Sequence, residues 1–225
     1  INETVVDTLN SGHIHIVEPG LQEAMTEALA TGRLHFSARP EPADVFIIAV
    51  QTPYKVENGK KVSEMKYVWS AAESVATVAK PGDLCVLEST SPPGSTREVE
   101  RIVAEGAHMQ PEQFMTAHCP ERIIPGRMLI ELRENDRIIG SNRPEAAEYA
   151  KEIYSKVVTK GTIRTTDDLT AEMCKLVENT FRDINIAYAN ELSKVCDRLG
   201  IDVFKLIELA NCHPRVNVHT PGVGV

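Results

Sequence analysis

The stretch Asp44-Val-Phe-Ile-Ile-Ala-Val50 decides the fold of this chain. It is a continuous apolar run rich in β-branched residues, and Pro42 and Pro53 bound it. Such a run predicts a parallel strand that is buried on both faces. Apolar residues at helical spacing in residues 64–79 then lead to a second apolar run at residues 84–88. A strand, a helix and a strand in this order predict a βαβ unit of an open α/β sheet.

The same alternation continues on both sides of this unit. Periodicity, glycines and prolines predict a helix at residues 21–30 before it. After it we predict helices at residues 96–105 and 144–157, and strands at residues 114–117, 137–139 and 162–164. The chain up to residue 166 is therefore predicted to be one α/β layer structure.

The character of the sequence changes after residue 166. Residues 167–199 contain no proline or glycine and carry apolar residues at helical spacing, which predicts one helix of about 30 residues, about 45–50 Å long. Thr166-Asp-Asp168 offers an N-cap with acidic residues in the first turn, and Gly200 offers a stop. Because so long a helix is unusual in a small domain, we expect it to span two domains or to pack across a dimer axis. A short helix is predicted at residues 202–210.

Composition excludes several classes of function. The net charge of −8 argues against nucleic acid or an anionic membrane as partner, because either needs a basic face. No apolar run approaches the roughly 20 residues that a membrane span requires. The cysteines form no C-x-x-C pair and no zinc-site spacing with histidine, so we expect no metal and reduced thiols in a cytoplasmic protein. They are Cys85, Cys119, Cys174, Cys196 and Cys212.

Two segments with polar side chains follow predicted strands. They are Ala49-Val-Gln-Thr-Pro53 and Glu88-Ser-Thr-Ser-Pro-Pro-Gly-Ser-Thr96. Open α/β sheets bind ligands at the carboxyl ends of their strands, and free N–H groups at a helix start could receive phosphate, ribose or water. The plain alternatives are a turn that ends the strand at Pro53 and a helix N-cap at Ser95.

Three further segments carry candidate groups. In His118-Cys-Pro-Glu-Arg122, Glu121 could act as a general base through a water or form a surface ion pair. Lys175 and Asn179, four residues apart on the long helix, could stabilise an oxyanion or simply be solvated. In Asn211-Cys-His-Pro-Arg215, Arg215 could clamp a carboxylate or phosphate.

Taken in order, these five segments resemble the motif series of the UDP-glucose/GDP-mannose dehydrogenase family over essentially the whole chain. The members that oxidise UDP-N-acetyl-D-mannosamine resemble it most in Cys119-Pro-Glu-Arg-Ile-Ile-Pro-Gly126, Asn135-Asp-Arg-Ile-Ile-Gly140 and Ala210-Asn-Cys-His-Pro-Arg-Val-Asn217. The resemblance implies the remainder of a Rossmann-like NAD-binding domain with a parallel sheet at residues 1–166. It also implies a central all-α dimerisation domain at residues 167–225, with a homodimer formed through the 167–199 helix.

The reaction that the resemblance implies is the NAD-dependent, four-electron oxidation of the C6 alcohol of UDP-N-acetyl-D-mannosamine to UDP-N-acetyl-D-mannosaminuronate. Glu121 matches the glutamate that handles protons and the hydrolytic water, and Thr90 matches the threonine that positions this water. Lys175 matches the lysine that holds the substrate and stabilises the oxyanion, with Asn179 as its partner. The remaining matches are Thr52, Pro53 and Thr90 on the cofactor side, Arg122 and Ile123 on the substrate side, and Arg215 towards the substrate of a neighbouring subunit.

The chain also departs from the family pattern. Pro125 stands where some UDP-glucose enzymes carry a second glutamate. We expect the Gly-x-Gly-x-x-Gly turn before Ile1, and the catalytic cysteine and the UDP-binding domain after Val225, so this chain by itself is expected to be inactive. The alternatives are a UDP-N-acetylglucosamine or UDP-glucose 6-dehydrogenase and, in another class, a non-catalytic dimerisation or scaffold module.

Overall fold

The computed structural model describes residues 2–224. The chain divides into two compact units, Ile1–Met173 and Cys174–Val225, which are described separately below. The domain boundary that we place at residue 166 stays a prediction.

The first unit contains most of the regular structure. In chain order its elements are α1 (Glu3–Asn10), α2 (Leu21–Ala30), β1 (Val45–Ile48), β2 (Tyr54–Glu57), β3 (Lys60–Ser63), α3 (Lys66–Ala76), β4 (Leu84–Leu87), α4 (Ser95–Gly106), a 3₁₀ turn (Pro111–Gln113), β5 (Met115–His118), α5 (Met128–Glu134), β6 (Arg137–Gly140), α6 (Pro144–Tyr154) and β7 (Ile163–Thr166). The long helix α7 (Asp168–Leu199) begins in this unit and continues into the second, which also holds α8 (Val203–Ala210).

Five strands form one sheet in the order β1-β4-β5-β6-β7. The predicted βαβ unit is confirmed, because β1 and β4 are parallel neighbours joined through α3. The prediction that β1 is buried on both faces is wrong, since Ile48 is 3% exposed whereas Ile47 is 51% exposed. The buried cluster on that face of the sheet reaches Val45 but not Ile47.

One strand pair breaks the predicted parallel arrangement. β6 runs antiparallel to β5, with His118 opposite Gly140, while β7 is again parallel to β6. The start of β6 therefore lies at the carboxyl end of β5. Helices α1 and α5 and the hairpin of β2 and β3 were not predicted, although Asn58-Gly59 is a typical hairpin turn and both residues have positive φ.

The core lies on both faces of the sheet because side chains alternate along each strand. Cys85 and Leu87 of β4 pack with apolar residues of α3 and α4, whereas Leu84 and Val86 face α6. All four side chains of β4 are buried, as the apolar run predicts. The polar loop at residues 88–94 thus emerges from the carboxyl end of a fully buried strand.

The long helix predicted at residues 167–199 is confirmed as α7, with 32 residues. Asp167 caps it, since its Oδ1 accepts a hydrogen bond of 2.8 Å from the backbone N–H of Thr170, and Gly200 follows it with a φ of 67°. Within residues 2–224, no helix is both long and apolar enough to cross a membrane. All five cysteines are free thiols, as predicted.

Candidate active site

The two loops predicted on the cofactor side are joined by a serine hydroxyl. Ser89 Oγ accepts a hydrogen bond of 2.8 Å from the backbone N–H of Val50 and donates one of 2.7 Å to the carbonyl oxygen of Val50. Thr52 and Pro53 follow Val50, and Thr90 follows Ser89. The structure thus brings these three residues to neighbouring loops at the carboxyl edge of the sheet.

The start of α4 is closed by a carboxylate from α7. Glu172, fully buried, accepts hydrogen bonds from the backbone N–H of Gly94 at 2.6 Å and from the N–H and Oγ1 of Thr96 at 2.8 and 2.7 Å. The expectation that free N–H groups here receive phosphate is therefore wrong, because Glu172 takes these donors. The N-cap alternative at Ser95 is also wrong, since Gly94 is the cap and Ser95 Oγ donates to the carbonyl oxygen of Pro92.

An ion pair also fixes the first turn of α7 to α4. Arg97 donates from Nε and Nη2 to the two carboxylate oxygens of Asp168, at 2.6 and 2.9 Å, and Asp168 is fully buried. Such bidentate pairs are among the stronger hydrogen bonds in proteins. The sequence analysis assigned Asp168 only to the helix dipole and did not find either contact, because the partners lie more than 70 residues apart.

His118 and Cys119 end β5 inside the core. Neither ring nitrogen of His118 makes a hydrogen bond of good geometry among the described residues. Burial lowers the pKa of this imidazole to about 4, although the Leu87 backbone and, less strongly, the Asp168 charge act in the opposite direction. Burial raises the pKa of the Cys119 thiol to about 12. A neutral buried thiol is a poor nucleophile, so the adjacency of Cys119 to Glu121 does not make it catalytic.

Glu121 lies beside a buried arginine that the sequence analysis did not single out. Arg137 Nη1 is 3.0 Å from Glu121 Oε2, and the backbone N–H of Arg122 donates to Glu121 Oε1 at 2.5 Å. The Arg137 side chain is 3% exposed and that of Glu121 34% exposed. A carboxylate that is oriented on one side and open to solvent on the other can exchange protons with a bound molecule.

Two further groups complete this charged cluster. Glu88, at the end of β4, has its Oε1 4.0 Å from Arg137 Nη1 and accepts a hydrogen bond of 2.5 Å from Tyr154 Oη. The Tyr154 ring also lies against the guanidinium, 5.5 Å from Cζ to the ring centroid. The available signal in the sequence was an arginine at the start of a short apolar strand, whereas Tyr154 ends an amphipathic helix and gave no signal of its own.

The segment after Glu121 is tied to the turn before β6. Arg122 Nη1 donates to the carbonyl oxygen of Asp136, and Asn135 Nδ2 donates to the carbonyl oxygen of Arg122, both at 3.2 Å. Ile123, also predicted on the substrate side, is half-buried. These residues and Glu121 share the carboxyl edge with Thr52, Pro53 and Thr90, since β1, β4 and β5 are parallel.

The second unit carries the other predicted residues. Lys175 and Asn179 lie one turn apart on α7 and are both half-buried. Arg215 is exposed, and its backbone N–H donates to His213 Nδ1 at 3.3 Å. The roles of these residues stay predictions. Within residues 2–224, no cluster of three or more His, Cys, Asp or Glu side chains could hold a metal ion.

A mostly parallel sheet with polar loops at its carboxyl edge, followed by a long helix, is a fold of the Rossmann type, and solved structures that share it are dehydrogenases. Residues 1–158 match the NAD binding domain of the UDP-glucose/GDP-mannose dehydrogenase family, and residues 169–225 match its central domain. The chain belongs to this family, so the family inferred from the order of the motifs is confirmed.

Several relatives are similar over the full length of the chain. The NDP-N-acetyl-D-galactosaminuronic acid dehydrogenase of Ralstonia nicotianae is 49% identical, and the UDP-N-acetyl-D-mannosamine dehydrogenases of Escherichia coli K12 and Yersinia pestis are 48% and 47% identical. Each match covers 100% of this chain and 54% of the relative. The chain therefore spans about half the length of the curated relatives that it matches.

Solved structures show the same likeness. The UDP-D-ManNAc dehydrogenase of Pyrococcus horikoshii superimposes with a TM-score of 0.93 at 42% identity, and the UDP-N-acetyl-mannosamine dehydrogenase Cap5O of Staphylococcus aureus with 0.86 at 44%. Both matches cover 100% of this chain and 54% of the other. The predicted α/β fold with a long helix is confirmed.

Proposed function

We propose that the complete protein to which this chain belongs is an NAD-dependent UDP-sugar 6-dehydrogenase that oxidises UDP-N-acetyl-D-mannosamine to UDP-N-acetyl-D-mannosaminuronate. The observation that carries the proposal is the placement of Glu121, oriented by Arg137, on the same sheet edge as Thr52 and Thr90. Relatives that are named for this sugar and match the whole chain support the substrate. The Ralstonia nicotianae relative, at a similar identity, makes an N-acetylgalactosamine sugar the second candidate.

The residues present fit the reactive end of NAD. Thr52, Pro53 and Thr90 lie on two loops that Ser89 joins at the carboxyl ends of neighbouring parallel strands, which is where such sheets bind nucleotides. When bound there, NAD would supply the hydride acceptor for oxidation of the sugar. The start of α4 does not hold its phosphates in our proposal, because Glu172 occupies those N–H groups.

Glu121 is proposed as the general base. Its carboxylate accepts the proton of the C6 hydroxyl or of the hydrolytic water, and Thr90 positions that water. Arg137 and the backbone N–H of Arg122 orient the carboxylate, so that little reorganisation is needed when the proton moves. Arg122 and Ile123 are proposed to contact the sugar.

Lys175 and Asn179 are proposed as the oxyanion-stabilising pair. Residues four apart on a helix lie on one face, so an ammonium and an amide N–H can be directed at one developing negative charge. Arg215, on an exposed loop, is proposed to reach the substrate of a second subunit.

A homodimer through α7 is proposed because this helix exposes an apolar stripe. Its exposed members recur three or four residues apart with one gap of seven, which places them on one side of a helix. In the second unit they are Val177, Phe181, Ile184, Tyr188, Val195 and Leu199. So continuous an exposed apolar face is typical of a protein interface.

The proposal is tested by following NADH formation by the complete protein. UDP-N-acetylmannosamine, UDP-N-acetylgalactosamine, UDP-N-acetylglucosamine and UDP-glucose are supplied separately, with Glu121→Gln as the inactive control. Two NADH per UDP-N-acetylmannosamine, and little from the others, is the expected result. Activity confined to another sugar would keep the reaction and change the substrate, whereas no activity with any sugar would favour the non-catalytic module.

A further inference from the structure

The buried guanidinium of Arg137 lies near two carboxylates, one closer than the other. Its Nη1 lies 3.0 Å from Glu121 Oε2 and 4.0 Å from Glu88 Oε1. The Glu88 side chain is 18% exposed, which is about half the exposure of Glu121. The positive charge of Arg137 thus has two negatively charged neighbours at the edge of the sheet, the more buried Glu88 and the more exposed Glu121.

Glu88 is held in place by contacts that do not involve Arg137. Tyr154 Oη donates to its Oε1 at 2.5 Å, and the backbone N–H of Glu121 donates to its carbonyl oxygen at 3.4 Å. Burial raises the pKa of Glu88, the hydrogen bond from Tyr154 lowers it, the Glu121 charge raises it further, and the Arg137 charge lowers it. Cys119 also faces this cluster, but as a neutral thiol, because burial raises its pKa to about 12.

A general base in this position changes the charge around Arg137. When the oxygen–hydrogen bond of the substrate breaks, the proton joins a Glu121 oxygen and that carboxylate becomes neutral. If Glu121 were its only counterion, the guanidinium would then be a buried charge without a partner, and this state is strongly unfavourable. Transfer of the proton to Glu121 would be disfavoured accordingly.

We propose that Glu88 is the second counterion of Arg137, which keeps the guanidinium paired while Glu121 carries the proton. Glu88 is in this way a positioning residue for the reaction, and Tyr154 holds it in place. The catalytic part of this inference rests on the proposed function, whereas the charge pairing is a property of the chain itself.

The pairing is tested by carbon-detected NMR titration of the chain labelled at its glutamate carboxyl carbons. In the wild type, the Glu121 carboxyl carbon should titrate as one member of a coupled pair with Glu88. In Glu88→Gln, which removes the charge and keeps an oxygen acceptor for Tyr154, its midpoint should fall by about one pH unit. Glu148→Gln, an exposed glutamate paired with Lys151 at 3.0 Å, is the matched control and should leave the midpoint unchanged.

A second variant covers the case in which Glu88→Gln does not fold. Tyr154→Phe removes the donor to Glu88 and keeps the ring against Arg137, so Glu88 should take up the first proton and the Glu121 midpoint should again fall. The proposal is overturned if both variants fold and the Glu121 midpoint stays at its wild-type pH in both. If only Tyr154→Phe folds, an unchanged midpoint in that variant alone overturns it.

Kinetics of the complete protein test the role in the reaction. Glu88→Gln should lower kcat about tenfold at neutral pH with little change in KM, and should move the acidic limb of the kcat profile to lower pH by about one unit. A loss of thermal stability with an unmoved limb overturns the role of Glu88 in the reaction. If the wild type oxidises no sugar, the proposed function fails, and the NMR titration still decides whether Arg137 is paired in this way.

Discussion

Glu172 accepts two hydrogen bonds from Thr96, one from its backbone N–H at 2.8 Å and one from its Oγ1 at 2.7 Å. A third comes from the backbone N–H of Gly94, so one carboxylate satisfies the start of α4. A negative charge at this point also interacts favourably with the helix dipole. The first turn of α7 is thereby bound to the helix that follows the loop of Thr90.

Replacement of Glu172 should destabilise the fold. In Glu172→Gln the amide group places N–H donors opposite N–H donors and removes the charge, which should lower the free energy of unfolding by about 2–3 kcal/mol. Glu191→Gln on the same helix removes only an exposed pair with Lys194 and should cost less than about 0.5 kcal/mol. Urea denaturation of both variants measures the difference, and equal midpoints would contradict this account.

Gly140 should not tolerate a side chain. A Cβ at this position would lie 2.4 Å from both the Ala171 Cβ and the carbonyl oxygen of Asp167, so the start of α7 would have to move away from β6. Gly140→Ala should cost about 1–3 kcal/mol of stability, measured by thermal unfolding. Gly222→Ala meets no atom within 4 Å, so an equal loss in that variant would argue against the steric cause.

His118 should make the fold sensitive to mild acid. Its pKa falls from 6.5 to about 4 on folding, so between these values the unfolded chain binds the proton and the folded chain does not. The free energy of unfolding therefore decreases as the pH falls through this window, by up to about 3 kcal/mol in total. His118→Phe should lose this pH-dependent component. The change in the free energy of unfolding between pH 6.5 and pH 4 should therefore differ between the wild type and the variant, and the difference should grow as the pH falls. A difference that does not change with pH would refute the prediction.

Lys175→Ala in the complete protein should lower kcat about 100-fold or more and change KM much less, because we expect the ammonium to act mainly on the developing oxyanion. Steady-state kinetics with UDP-N-acetylmannosamine measure both constants. Lys194→Ala, a lysine of the same helix paired with Glu191, should have wild-type kinetics. An unchanged kcat in Lys175→Ala would remove this residue from the mechanism.

A charge at Ile184 should disrupt the proposed dimer. Its side chain is 63% exposed in the apolar stripe of α7, and a glutamate there would bury a charge in the interface at a cost of several kcal/mol. Sedimentation should then find dimers of the wild type and of Lys194→Glu, and monomers of Ile184→Glu at the same concentration. A monomeric wild type would reject the interface.

The fold was largely predictable because its signals are local. The apolar runs of β1 and β4 and the helical spacing of α7 each lie within one short window of sequence. The antiparallel direction of β6 could not be predicted, since strand direction depends on partners that are distant along the chain. Loop residues such as Glu121 were found as candidates, but Arg137, Tyr154 and Glu172 were not, because their contacts join residues between 16 and 78 positions apart in the sequence.

Because β6 runs antiparallel to β5, the charged cluster around Arg137 depends on the register of one strand pair. Arg137 reaches the site only because the first residue of this strand lies at the edge where its neighbour β5 ends. A slip of one residue in the pairing of His118 with Gly140 would displace the guanidinium by about 3.3 Å and turn it to the opposite face of the sheet. Insertions and deletions within β6 should therefore abolish the cluster, whereas a change of length between Ile123 and the start of α5 can be absorbed if that single pair is kept.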